Sequence, residues 1–138
     1  MRFVCDAAGG KAWFRIETEA EAARESELMR HAVEKHFRRA HEQASQAYRP
    51  ASGPYIEQDI GRTMPVFLTL RDADGNALAT AMLPPQQATG RDNLVCSPMV
   101  VGPGHADPYP EHRAAIEDLG RHFGIALDRA RCYPYGRL

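Results

Sequence analysis

An α+β domain is what this sequence predicts: a mostly antiparallel sheet of about five to six strands with two helices packed on one face. Three observations predict it. There are two glycine-centred hairpin signals, a long amphipathic stretch opened by a capping box, and a second amphipathic stretch bounded by proline and glycine. The expected order is β-β-α-β-β-β-α-β, and helices segregated from hairpin-linked strands characterise the α+β class. At 138 residues one domain is expected, which at this size buries roughly two-thirds of the unfolded chain's surface.

Each element has a local cause. Residues 2–6 (RFVCD) and 12–17 (AWFRIE) flank Ala8-Gly9-Gly10-Lys11. Glycine supplies the positive φ of a tight turn, so 2–17 reads as a β-hairpin. Thr18 opens T-E-A-E, a capping box in which Glu21 reaches back to the cap. A long helix over 19–47 follows, acidic in its first half (Glu19, Glu21, Glu25, Glu27) and basic in its second (Arg30, Lys35, Arg38, Arg39). That polarity complements the helix dipole and gives the basic cluster a structural reason to exist. Strands are expected at 66–72 and 76–83 around Asp74-Gly75, and at 94–102 with an interruption at Pro98. Asp107 and Pro108 suit the start of a second helix, 108–123, and Gly124 suits its end. Residues 125–138 are expected to close the chain as a strand and tail. Patterning leaves the strand order open.

Composition bounds the function. With 43% hydrophobic and 25% charged residues and a net charge of −1, the chain lacks the basic footprint of a nucleic-acid binder. The interior order α-β-β-β-α resembles a double-stranded-RNA-binding domain in order alone. Its second helix carries Glu111, Glu117 and Asp118 where such domains set lysines, so no nucleic-acid partner is expected. No apolar run approaches the ~20 residues a bilayer needs, and the N-terminal residues lack a signal-peptide core. No membrane partner and a cytoplasmic location are therefore expected. Only Lys11 and Lys35 among 17 basic residues are lysines. Arginine spread along the whole chain reads as GC-rich codon usage, which suggests a bacterial source. Cys5, Cys96 and Cys132 are three, widely spaced and without a C-x-x-C pair, so free thiols are expected.

The histidines are the candidates for chemistry. His31, His36 and His41 lie five apart, about 140° apart around a helix, so they cannot share one site by themselves. His36 falls in the apolar stripe of Met29, Val33, Phe37, Ala40, Ala44 and Ala47, whereas His31 faces the solvated side and His41 the stripe's edge. His112 precedes the stripe of Ala115, Ile116, Leu119 and Phe123. Two helices on one face would then bring His36 and His112 towards a common pocket. GPGHADPYPEH adds His105, Asp107 and Glu111, a set from which zinc sites or acid–base pairs are built. The metal candidates are His105 and His112, with Cys96 or Cys132 joining from a strand.

Two readings follow. The favoured one is a non-catalytic binding or interaction module, self-associating as a homodimer through open sheet edges. It would contact a protein partner through loops 49–64 and 84–93 or the C-terminal CYPYGRL. The alternative is a small metal-dependent enzyme or ligand-binding protein with a His/carboxylate pocket between helices and sheet, using His36, His105, Asp107, Glu111 and His112. No cofactor is predicted, and zinc or another divalent metal belongs to the alternative alone. No phosphate-binding or dinucleotide loop and no nucleophile elbow occurs in the chain.

Overall fold

The computed structural model describes residues 1–47, 60–61, 63–85 and 98–135. The fold is α+β. β1 (Arg2–Ala7) and β2 (Lys11–Arg15) form the expected hairpin, and β3 (Val66–Arg71), β4 (Ala77–Leu83) and β5 (Met99–Val101) complete a five-stranded sheet in the order β1-β2-β3-β4-β5. Every neighbouring pair is antiparallel. The first turn uses Gly9 and Gly10 at φ 82° and 73°. The second is organised by Asp72, whose carboxylate accepts from the backbone N–H of Asp74 and Asn76 at 3.0 and 2.9 Å.

The stretch 19–47 is not one helix. α1 (Glu19–Met29) begins with the expected capping box of Thr18 and Glu21. It ends at Arg30, which adopts the left-handed conformation (φ 55°, ψ 51°), and α2 (Val33–Ala47) starts three residues later. The reason is length. A continuous helix over 19–47 would run about 43 Å, whereas strands of five to seven residues span only about 16–23 Å. Folding back as a helical hairpin lets Ala22 and Met29 of α1 and Val33, Phe37 and Ala44 of α2 all become buried.

α3 (Tyr109–Phe123) ends as expected at Gly124, which takes φ 68°. Asp107 accepts from the backbone N–H of Tyr109 at 3.0 Å and from Arg129 Nε at 2.8 Å.

The helices do not share a face. Val66, Leu68 and Leu70 of β3 pack with Trp13, Ala115, Ile116 and Leu119 in one core. Phe67 packs with Ile16, Val33 and Phe37 in a second. Side chains alternate across a strand, so α3 covers one face and the α1–α2 hairpin the other. The expectation of two helices on one face is corrected. The physical reason is visible in VFLTL: a strand of five consecutive buried residues has no solvated side, as a sheet covered on both faces requires.

The expected sixth strand is also absent among the described residues. Arg129–Arg131 is a 3-10 turn, and the segment touches the sheet by a single parallel bridge between Met99 and Tyr133. Leu127 and Cys132 instead bury their side chains in the α3-side core. Tyr135 packs edge-on against Tyr109, with the Arg129 guanidinium 4.5 Å from its ring centre.

Candidate functional site

The break at Arg30 creates the site. Because Arg30 turns the chain left-handed, His31 sits in the connection rather than on a helix face, and its ring drops between the helical hairpin and β4. His31 Nε2 lies 2.9 Å from Thr80 Oγ1. The Thr80 hydroxyl donates to Glu25 Oε2 at 2.5 Å. Arg71 Nη2 donates to Glu25 Oε1 at 2.8 Å, and Arg71 Nε donates to Thr69 Oγ1 at 3.0 Å. Glu25 and Thr69 are fully buried, and Arg71 retains only 12% side-chain exposure, so this is an interior polar chain running from His31 to Arg71.

Proton counting assigns the imidazole. Thr80 has one proton and gives it to the carboxylate, so its oxygen accepts from His31 Nε2–H. Nδ1 then accepts the backbone N–H of Val33 at 3.4 Å. Burial holds the His31 pKa below the ordinary histidine value. Both ring nitrogens are therefore engaged in the neutral form, and every link of the chain has a partner.

A second segment arrives from β5. Gly102 leads into the turn Pro103–His105, closed by Gly102 N–H to Ala106 O at 2.7 Å and His105 N–H to Gly102 O at 3.1 Å. A Cβ on Gly102 would lie 3.0 Å from Ala106 O, so the turn packs closely there. His105 adopts φ 67°, and its ring stacks on His31 with centroids 6.1 Å apart and planes 14° apart. Arg30 and His105 are the non-glycine residues with positive φ among those described. A left-handed conformation costs a non-glycine residue about 1–2 kcal/mol. Both lie at the same place, since the Arg30 guanidinium reaches over Gly104, 3.9 Å from where a Cβ would stand. Strain concentrated at one site is a pointer to function.

Beneath the stacked rings lies a cavity of about 80 Å³, walled by Val33, Phe67, Met82, Met99 and Val101. His36 joins His31 and His105 among its lining residues. The space is large enough for several waters or a small apolar group.

The expected residues are distributed differently. His36 is exposed, at the margin of the α2 stripe rather than within it, because Val33, Phe37 and Ala44 set the stripe's axis to one side. His112 lies on α3, across the sheet from His31 and His36. Its Nδ1 accepts from Lys11 Nζ at 3.0 Å, and burial followed by the Lys11 charge lowers its pKa. His36 and His112 therefore share no pocket. His105 turns to His31, Asp107 is occupied by Tyr109 N–H and Arg129, and Glu111 is exposed, 3.8 Å from His112 Nε2. His105, Asp107, Glu111 and His112 thus do not converge, and His105 and His112 do not form a ligand pair. Cys132 is buried in the α3-side core with its thiol pKa pushed up by burial, and Cys5 is shifted the same way. Cys96 and the loop 84–93 beyond Pro85 lie outside the described residues, as does most of 49–64. Among the described residues no three His, Cys, Asp or Glu side chains are grouped to hold a metal ion.

Glu25, Arg30, His31 and Thr80 were not expected in the site. One signal existed: Glu25 stands in the buried row of α1, between Ala22 and Met29, where a carboxylate must find a partner. Neither a protein-family model, a curated protein nor a solved structure matches this chain.

Proposed function

We propose that this protein is a non-catalytic binding module that takes a small ligand in the cavity between the α1–α2 connection, the sheet and the turn 103–105. The observation that carries the reading is the His31–His105 stack over an apolar cavity, with His105 held in a strained conformation. Small-ligand sites combine apolar walls with a few placed polar groups, and this cavity has that constitution. A ligand with an apolar body and one hydrogen-bonding group would bury the body against Phe67 and Met82 and present the group to His105 and His36.

The absence of catalysis in this reading rests on commitment of the polar atoms. Both nitrogens of His31 are engaged, and Glu25 is held by Arg71 and Thr80. No group of the network running from His31 to Arg71 is left poised to exchange a proton with a bound molecule, and among the described residues no carboxylate or thiol joins His36 and His105 in lining the cavity. Self-association is not part of the proposal. β1 is bulged between Phe3 and Cys5 and the outer edge of β5 is bridged by Tyr133, and both features oppose edge-to-edge pairing.

The test is a thermal-shift screen with small alcohols, amides and carboxylic acids on the wild type and on His105→Ala. A ligand at 100 times its Kd stabilises by about 2.7 kcal/mol. Compounds that stabilise the wild type and not the variant support the reading. Compounds that stabilise both equally, or a screen in which none stabilises the wild type, contradict it.

A further inference from the structure

The cavity wall contributed by the sheet has a chemistry of its own. Met82 and Met99 are directly opposed partners in the β4–β5 ladder, and both line the cavity. Opposed residues of an antiparallel pair have Cβ atoms about 4.5–5.5 Å apart on the same face. Two thioethers on flexible three-bond arms can therefore bring their Sδ atoms to one point. The imidazoles of His105 and His36 line the same space, and neither ring hydrogen-bonds to another described residue, in contrast to His31. Thioether sulfur and imidazole nitrogen are soft-to-borderline, uncharged donors.

From this juxtaposition we propose that the cavity binds one soft monovalent metal ion, copper(I), through Sδ of Met82 and Met99 and the imidazole of His105, with His36 as a fourth donor. This rests on the reading of the cavity as the binding site and gives that site a ligand class. The charge of the site decides the choice of ion. Thioethers select copper(I), whereas zinc is bound by thiolate, imidazole and carboxylate, and magnesium or calcium by oxygen. Among the described residues no carboxylate lines the cavity, and Glu25, which bonds to Thr80 behind it, is already held by Arg71 and Thr80. A neutral, largely apolar donor set suits a single positive charge.

The experiment uses silver(I) as a redox-inert, diamagnetic probe and copper(I) under anaerobic, reducing conditions. The five methionines give separate ε-methyl resonances in methyl-labelled full-length protein. One equivalent of silver(I) is expected to shift Met82 and Met99 and to leave the buried Met29 and Met64 unmoved. In competition with a chromogenic copper(I) chelator, Met82→Leu/Met99→Leu is expected to bind at least about 100-fold more weakly than the wild type. Cys5→Ser/Cys96→Ser is expected to bind as the wild type does. Leucine conserves the volume of methionine, a swap that ordinarily costs under about 1.5 kcal/mol, and the wild-type spectrum needs no variant at all. Unmoved Met82 and Met99 resonances, or binding lost with the cysteines and kept without the methionines, would overturn the proposal. The leucine variant retains the apolar walls, so the organic-ligand screen still reports on the cavity if the metal proposal fails.

Discussion

Glu25 is the residue whose replacement tests the architecture most severely. Its carboxylate is fully buried and bound by Arg71 and Thr80 at 2.8 and 2.5 Å. In Glu25→Gln the amide oxygen can still accept from Thr80, so the hydrogen bond largely survives. What is lost is the charge opposite Arg71, whose guanidinium is itself only 12% exposed. Removing one partner of a buried ion pair costs about 3–5 kcal/mol, because the other charge is left uncompensated. Arg71 keeps its bonds to Thr69 Oγ1 and Gly75 O, which places the expected loss at the lower end, about 3 kcal/mol. With a urea m-value of about 2 kcal/mol/M for a chain of this size, the midpoint falls by about 1.5 M. Trp13, the chain's single tryptophan and fully buried, reports the transition by fluorescence. Replacing both partners, as Glu25→Leu/Arg71→Met, is expected to recover at least half of the loss, since matched apolar replacements of buried pairs are often neutral or stabilising. A midpoint shift below about 0.5 M for Glu25→Gln, or no recovery in the double variant, would refute the assignment of a buried ion pair.

Three further outcomes follow from the same geometry. His105→Gly removes the left-handed strain, so stability is expected to stay level or rise by up to about 1 kcal/mol, while ligand stabilisation disappears; a loss above 1 kcal/mol in urea unfolding would show that the ring is structural. Gly120→Ala would place a Cβ 2.6 Å from the backbone oxygen of Ile125. The helix-propensity gain of about 1 kcal/mol is then outweighed by a steric cost of about 1–3 kcal/mol, and a net lowering of the urea midpoint is expected. His31 and His112 both have pKa values depressed by burial, so below about pH 6.5 the unfolded chain binds protons that the folded chain refuses. Stability is therefore expected to fall on acidification from pH 7 towards 5.5, by at most about 1.4 kcal/mol per pH unit for each ring. His112→Gln should reduce that slope, and a wild-type stability that rises on acidification would contradict the burial of both rings.

Elements with a local cause are legible in the sequence. The Gly9-Gly10 and Asp74-Gly75 turns, the Thr18 and Glu21 capping box, and the Gly124 terminus each depend on residues within a few positions. The α1–α2 break had no such signal, because Arg30 takes a left-handed conformation usually given to glycine or asparagine. The break arises from fitting a 29-residue stretch to a short sheet, which is a property of the whole fold. The burial of His31 follows directly from it: on one unbroken helix His31 faces solvent, and in the turn it faces Thr80. The placement of helices on both faces was readable in VFLTL, where no polar alternation leaves a wet side. The site itself joins residues near 30, 80 and 105, and no spacing rule links three segments so far apart.

The most direct test of the cavity as the binding site is a methyl-selective NMR titration of the full chain, labelled at valine, methionine and alanine, with a ligand from the thermal-shift screen. Shifts are expected to be confined to Ala32, Val33, Ala81, Met82, Met99 and Val101, which line the cavity, with Val66, Val100 and Ala115 on the α3 side unmoved. Shifts centred on the α3 side, or spread evenly over both cores, would contradict it.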